Sequence, residues 1–216
     1  MTLNNKIISP PEVSVIMAVF NRAEYLSRSI GSLLNQSFEN WELIAIDDGS
    51  EDDTFKILSE YEKVYSNFKV IRQSNVKLAL TRNRGIKASS GKYITFLDSD
   101  DEYEIDHLQK RVDFMNENPE IDFIYGGVRI IGNEYVRDKN DLSKMIHISD
   151  CTVGGTFFAK RKVFLDLNGF KDLRYSEDSE FFERAEKVFK VQKIDFNTYI
   201  YHRDLPDSIT NSYEPE

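Results

Sequence analysis

Three short polar clusters hold most of the residues that could do chemistry: Phe20-Asn21-Arg22, Asp47-Asp48-Gly49-Ser50 and Asp98-Ser99-Asp100-Asp101. The acidic run at 98–101 invites a metal reading. Hard cations such as Mg2+ or Mn2+ take carboxylate oxygens and keep positions open for substrate phosphates. Asp98 and Asp100, with one residue between them, can aim at one ligand, one carboxylate on the metal and the other on a nearby hydroxyl. A calcium loop of the EF-hand type is the competing motif, and it wants Asp or Asn at its fifth position and Gly at its sixth. Those positions are Glu102 and Tyr103, so the calcium loop fails. A single acidic turn also has a plain structural explanation, because carboxylates near a helix N-terminus stabilise its dipole. Three clusters meeting at one sheet edge are harder to assign to that cause alone.

The elements around the clusters place them there. Val13 to Val19 is a short apolar run rich in β-branched residues, which suits a strand buried on both faces of a parallel sheet. Asn21 with Glu24 three residues on reads as a capping box, and Leu26, Ile30, Leu33 and Leu34 form one apolar helical stripe. Trp41 to Ile46 reads as a second strand, a helix carries Phe55 and Leu58, and Phe68 to Ile71 is a third strand. Thr81 to Ser89 reads as a helix stopped by Gly91, and Tyr93 to Leu97 as another buried strand. Strands alternating with amphipathic helices imply right-handed βαβ units, an α/β fold with a mostly parallel sheet. In such sheets ligands bind beyond the carboxyl ends of the strands, where all three clusters lie.

The second half is less regular. Leu108 to Met115 predicts a helix ended by Asn118-Pro119, Ile121 to Ile131 a strand bent at Gly126-Gly127, and 134–144 a polar loop. Thr156 to Ala159, Phe181 to Phe189 and Thr198 to His202 read as strand, helix and last strand. The expected organisation is one domain over 1–216 with a polar leader over 1–12 and two functional halves, about 13–105 and about 106–216.

Composition narrows the class. A net charge of −9 argues against nucleic-acid binding, which needs a basic stripe to displace counterions. It leaves a phosphate-bearing ligand open, since a metal and a few aimed cations reverse a local field. One cysteine, Cys151, allows no intrachain disulfide, and no apolar run approaches a membrane span. The N-terminus has no apolar stretch of the signal-peptide kind, so the expected location is the cytoplasm, with peripheral attachment at the inner face of a membrane at most.

The segments Val13 to Asn21, Trp41 to Ser50, Thr81 to Ile86 and Gly91 to Asp101, in that order and spacing, resemble the family 2 glycosyltransferases of the GT-A fold. Leu167-Asn168-Gly169-Phe170, Ser176-Glu177-Asp178 and Phe181 to Arg184 resemble that family's acceptor-side segment. The resemblance implies a GT-A, Rossmann-like domain that moves a sugar from a nucleotide-diphosphate sugar to a glycan, lipid-linked or protein hydroxyl, with inversion and a divalent metal, Mn2+ or Mg2+.

It also implies roles. Ala18 and Phe20 would lie against the base, and Asp48 would accept from a base N–H, which suits uracil and so a UDP-sugar. Lys77, where the family often has a cation or a glycine, would meet base or phosphate. Asp98 would meet the ribose, with Ser99 beside it in the donor-binding set. Asp100 would bind the metal, His202 could complete its shell, and Asp178 would be the catalytic base. Glu177 would orient that base or bind sugar, or be a solvated carboxylate. Gly154-Gly155 would let a backbone N–H approach the donor, or simply mark a bend. Arg203 could pair with diphosphate, and Arg82 and Arg84 with a phosphate or with Asp47 or Asp98. His107 and His147 read as surface or packing residues. The sole tryptophan, Trp41, sits in a strand, so the Gln/Arg-x-x-Arg-Trp segment of processive synthases is missing. Two other classes compete. A sugar nucleotidyltransferase needs a glycine-rich loop after the first strand, which Phe20 to Glu24 does not supply, and a non-catalytic nucleotide-sugar module has no use for Asp100 together with Asp178.

Overall fold

A computed structural model of the chain describes residues 10–141, 143–173 and 175–205. Most of the leader, and the residues after 205, lie outside that description. In chain order the elements are β1 (Val13–Val19), α1 (Leu26–Leu34), β2 (Trp41–Asp47), α2 (Thr54–Val64), β3 (Phe68–Arg72), α3 (Leu78–Ala88) and β4 (Tyr93–Phe96). Then come β5 (Glu102–Tyr103), α4 (His107–Glu117), β6 (Phe123–Tyr125), β7 (Val128–Gly132), β8 (Tyr135–Arg137), β9 (Met145–His147), β10 (Phe158–Lys160), α5 (Arg161–Asp166), α6 (Glu177–Ala185), β11 (Val191–Lys193) and β12 (Tyr199–Arg203).

Seven strands form the central sheet in the order β11-β6-β10-β4-β1-β2-β3. All its pairs are parallel except those of β10, which runs antiparallel to both β4 and β6. The register sets the functional edge. Val19 lies opposite Asp47, and Asp48 N donates to Val19 O at 2.8 Å. Leu97 N donates to Ile16 O at 3.1 Å, so the acidic turn leaves the sheet beside the loop after β1.

Apolar residues fill both faces. Val13, Val15, Met17 and Val19 pack with Leu26, Ile30 and Leu33 of α1 on one side, with Leu34 at the margin. Ile16, Ile94 and Phe96 pack with Phe164, Phe170 and Phe181 on the other. Among the described residues no helix is long and apolar enough to cross a membrane.

Several expectations need correction. Asn21 caps no helix: α1 starts at Leu26 without a side-chain cap, and Asn21 stands at φ 51°. Its side chain instead accepts from Glu51 N at 2.8 Å, and its own N–H donates to Ser50 Oγ at 2.9 Å, tying the first two polar clusters together. The stretch read as a polar loop contains β8, which pairs antiparallel with β9, Val136 opposite Ile146. Residues 154–156 form a 3-10 turn before β10, and α6 starts four residues earlier than its aromatic pattern shows.

The bend at Gly126-Gly127 is a change of sheet. β6 belongs to the central sheet and β7 to a second one, ordered β5-β12-β7. Gly127 has φ +73°, and a Cβ there would lie 2.7 Å from the Phe196 carbonyl carbon. Only glycine relieves both constraints. Gly127→Ala is expected to cost about 1–3 kcal/mol. Gly31 in α1 has no atom within 4 Å of a built Cβ, and Gly31→Ala is expected to stabilise by up to about 1 kcal/mol. Urea melts of the two variants check both signs.

Candidate active site

The three polar clusters open on one cleft of about 1270 Å3 beyond the carboxyl ends of β1, β2 and β4. Ala18, Phe20, Asp48, Lys77, Asp98, Ser99, Asp100 and Asp178 all line it. His202 does not.

On the nucleotide side Phe20 presents a large exposed ring, 43% accessible. Asp48 is buried and already well supplied with donors: Gln73 Nε2 at 2.8 Å and Val76 N at 2.9 Å on Oδ1, Lys77 N at 2.9 Å on Oδ2. Two carboxylate oxygens offer about four acceptor directions, so one direction remains for a ligand N–H. Its bonds also hold Lys77 at φ 73°, a backbone state that favours glycine and so accounts for a glycine at the position that Lys77 occupies.

The acidic turn is held from both α1 and β12. From α1, Arg28 Nη2 donates to Asp100 O at 2.6 Å and Ser29 Oγ to Asp98 O at 3.1 Å. From β12, the Tyr199 hydroxyl donates to Asp101 Oδ2 at 2.7 Å, and His202 N donates to Asp101 Oδ1 at 2.8 Å. Burial, with Asp100 and Asp98 nearby, pushes the Asp101 carboxyl well above the usual range. The sequence placed Asp101 in the acidic run without giving it a role of its own, and Tyr199, a tyrosine in a late strand, gave no local signal. The Asp100 side chain stays 20% accessible, with Arg22 Nε at 3.5 Å.

His202 turns elsewhere: its ring Nε2 lies 2.7 Å from Glu102 Oε1. As arranged, the ring is engaged with Glu102 and stands outside the cleft, so the structure does not bring it together with Asp100. No group of three or more His, Cys, Asp or Glu side chains is placed to hold a metal among the described residues. Within the acidic run, the accessible Asp100 carboxylate is an oxygen donor of the kind that could hold a hard cation.

Arg82 joins the two sides of the cleft. It is 3% accessible, its Nη2 lies 2.6 Å from Asp98 Oδ1, and its Nη1 lies 2.9 Å from Glu177 Oε1. The guanidinium also rests over Phe96 and Phe170, at 5.4 and 5.8 Å from the ring centres. Burial works against its charge, but Asp98 and Glu177 outweigh burial and hold it cationic. Burial pushes Glu177 up to about 7, assisted by Asp178 and opposed by Arg82. Asp178 is raised for the same reason, burial, again opposed by Arg82. Its Oδ2 accepts from Gly154 N at 3.0 Å. That bond explains Gly154, whose built Cβ would press on Asp178 and Arg82 at 3.1 Å. A Cβ at Gly155 would collide with the Tyr199 hydroxyl.

The remaining candidates are structural. Arg203 donates to Asn133 O and Tyr135 O, at 3.4 and 3.1 Å, rather than to the cleft. Arg84 meets Gln73 Oε1 at 3.2 Å. His107 is buried and stacks on Tyr103, ring centres 3.7 Å apart. His147 pairs with Ser149 and Glu134.

With this geometry in place, residues 14–177 match the sequence profile described as Glycosyl transferase family 2. The chain belongs to that family. A Bacillus subtilis glycosyltransferase named for teichuronic acid biosynthesis, TuaG, is 36% identical over 63% of this chain and 53% of its own. The Escherichia coli UDP-Glc:alpha-D-GlcNAc-diphosphoundecaprenol beta-1,3-glucosyltransferase WfgD is 39% identical over 59% of this chain and 49% of its own. The chain thus spans about half the length of these relatives. Among solved structures, Staphylococcus aureus TarS 1–349 in complex with UDP-GlcNAc superposes with TM-score 0.75 at 21% identity, over 94% of this chain and 62% of that one. The mannosyltransferase PcManGT of Pyrobaculum calidifontis, solved with GDP-Man and Mn2+, gives 0.72 at 15% identity, over 93% and 59%. The fold of this family 2 chain is GT-A.

Arg82 supplies a stability test. Arg82→Met leaves Asp98 and Glu177 without their buried counter-charge, which is expected to cost about 3–5 kcal/mol where both are ionised. Glu177 is already raised above its unfolded value and rises further without Arg82. The folded state then binds more protons than the unfolded one, so the loss grows as pH increases from the unfolded carboxylate range through the folded pKa. Urea melts should show a larger deficit at pH 8 than at pH 5; an equal deficit at both would place the damage in packing.

Proposed function

We propose that the chain is the catalytic unit of an inverting glycosyltransferase, moving a sugar from a UDP-sugar to a hydroxyl of a glycan, lipid-linked or protein acceptor. The observation that carries this is the placement of Asp178, half-buried and raised, on the same cleft as Asp48, Asp98 and Asp100. A non-catalytic binding module has no need of that carboxylate. WfgD, named for a UDP-glucose donor and a diphosphoundecaprenol-linked acceptor, supports donor and acceptor class by kinship alone. A lipid-linked acceptor would bring a cytoplasmic chain to the membrane face as a peripheral protein.

In this reading residues 13–105 bind the donor and 106–216 the acceptor. Phe20 and Ala18 pack against the base, Asp48 accepts its N–H, and Asp98 and Ser99 meet the ribose. Lys77 lines the cleft as a cation for base or phosphate. Asp100 holds Mn2+ or Mg2+, and His202 would join only by leaving Glu102. When bound, the divalent ion offsets the charge that builds on the departing diphosphate. Asp178 takes the acceptor hydroxyl proton. The freed oxygen attacks the anomeric carbon from the face opposite the diphosphate, the carbon–oxygen bond to diphosphate breaks with its electron pair, and configuration inverts. Glu177, fixed by Arg82, shapes the field around that base.

Release of UDP from a panel of UDP-sugars tests the reading. Asp100→Asn should weaken metal-dependent donor binding in calorimetry, since a charged oxygen ligand becomes an amide. Asp178→Asn should keep donor affinity within a few-fold and lower turnover by roughly 10²–10⁴. Turnover within about threefold of wild type would remove Asp178 as the base. Tighter binding of GDP than UDP, or indifference to a chelator, would overturn the base and metal assignments.

The pH profile is a further check. Asp178 must be ionised to act, and burial raises its folded pKa, so kcat/KM should climb with pH along a limb displaced upward from the ordinary aspartate range. Glu177, pushed up to about 7, titrates with it, and the limb belongs to the pair. Glu177→Gln removes one negative charge and should move that limb to lower pH.

A further inference from the structure

Beyond Asp178 the cleft continues into a chamber lined by residues of β8 and β9, by Asp172, Leu173, Tyr175 and Ser176, and by α6. Tyr175 Oη donates to Arg137 O at 2.8 Å, and Lys139 pairs with Glu183, so hairpin and helix are joined across it. Two kinds of surface face inward. Val136, Ile146, Ile148 and Phe182 give apolar area, with Leu173 and Tyr175 beside them. Carboxylates supply most of the charge: from residue 136 onward the described lining holds seven acids against two cations, Arg137 and Lys139. Lys139 is already matched by Glu183, and Glu177 by Arg82. The side chains of Asp150, Asp172 and Glu186 make no hydrogen bond or ion pair among the described residues.

Apolar walls combined with acceptor-only carboxylates suit one chemistry. A sugar ring offers an apolar C–H face and hydroxyl donors, and it matches both surfaces. A phosphate has neither and meets an uncompensated negative field. We propose that this chamber takes an uncharged, hydroxyl-rich glycan end as acceptor and rejects phosphate. A lipid diphosphate, where present, is then kept outside the chamber, at least one sugar away from the reacting hydroxyl. The acceptor claim rests on the transferase reading, whereas the rejection of anions belongs to the chamber itself. Cys151, the chain's one cysteine, lines the same chamber. Its thiol is pushed up to about 11, first by burial and then by Asp178, Asp150 and Asp138, which agrees with a negative interior.

Cys151 makes the field measurable in the unmodified protein. A cationic and an anionic methanethiosulfonate of matched size are reacted with it, each rate divided by that for a small free thiol. The cationic reagent should be favoured by about tenfold or more at low salt. The preference should shrink as the screening length falls from about 8 Å at physiological salt to about 3 Å at 1 M. Equal rates, a preference for the anion, or no labelling by either reagent overturns the proposal, because the chamber must both admit a solute and disfavour a negative one. The second arm compares neutral glycosides with the same glycosides phosphorylated next to the accepting hydroxyl, in UDP-sugar transfer. Neutral acceptors should win by about tenfold or more in kcat/KM, the margin narrowing with salt; parity or reversal overturns the acceptor class. If no UDP-sugar is ever cleaved, the transferase reading fails and the acceptor claim falls with it, while the Cys151 ratio still decides whether the chamber rejects anions.

Discussion

A buried guanidinium cannot stand without counter-charge, and Arg82 is the place where this fold meets that requirement. The side chain projects from α3 into a space closed by Phe96 and Phe170, where water cannot reach it. Its partners come from distant parts of the chain, Asp98 at the end of β4 and Glu177 at the start of α6. Removing Arg82 strips both carboxylates of their counter-charge, so the two walls of the cleft are tied together through this one side chain. The coupling extends to the proposed base. Asp178 follows Glu177, accepts from Gly154, and feels the Arg82 charge that limits how far burial raises it.

A second constraint keeps the acidic turn open to ligand. Four carboxylates and one serine crowd residues 98–102, and their mutual repulsion would spread the turn if all faced the cleft. The fold assigns them different duties. Asp98 goes to Arg82, Asp101 is drawn under the turn by Tyr199 and the His202 amide, and Glu102 goes to His202. Asp100 is the carboxylate of the run that lines the cleft with its side chain 20% accessible, near Arg22 at 3.5 Å. β12 therefore matters to a site it hardly lines. Its register against β7 and β5 fixes the height at which Tyr199 meets Asp101, and Gly155 leaves room for that hydroxyl.

The donor half was legible because its geometry is local. Each apolar run from Val13 to Phe96 is long enough to show its period, and each ends in the cluster it positions, so strand identity gives site location directly. Where a short-range rule failed there, at Asn21, a left-handed backbone had replaced the cap; the motif Asn-x-x-Glu is shared by both outcomes. The second half rests on pairings that leave little trace in sequence. β5, β8, β9, β10 and β11 have two or three residues each, too few to display alternation, and apart from the β8–β9 hairpin their partners lie far away in the chain. The reversal of β10 between parallel strands depends on how the chain enters from the 3-10 turn at Gly154–Thr156, which no periodicity encodes. Asp101, Tyr199 and the engagement of His202 with Glu102 are contacts across about a hundred positions. The resemblance named residues in the cleft but carried no information about which histidine nitrogen was already engaged.

The same difference in how the halves are held bears on how they respond to ligands. The donor wall hangs on backbone hydrogen bonds of a buried parallel sheet and on the Asp48 carboxylate, whose three donors fix the 73–77 loop. Such groups have no solvent alternative, so that wall is stiff. The far side of the cleft is bounded by a two-stranded hairpin, and two-stranded ribbons are marginal by themselves. What docks it to α6 is the Lys139–Glu183 pair, with both side chains a third or more accessible, and such surface pairs contribute about 0–1 kcal/mol. On the β12 side, Arg203 holds the carbonyls of Asn133 and Tyr135. The hairpin is thus held at its base by Arg203 and on the α6 side by the Tyr175–Arg137 bond and the Lys139–Glu183 pair, contacts separate from the Arg82 bridge that ties Asp98 to Glu177.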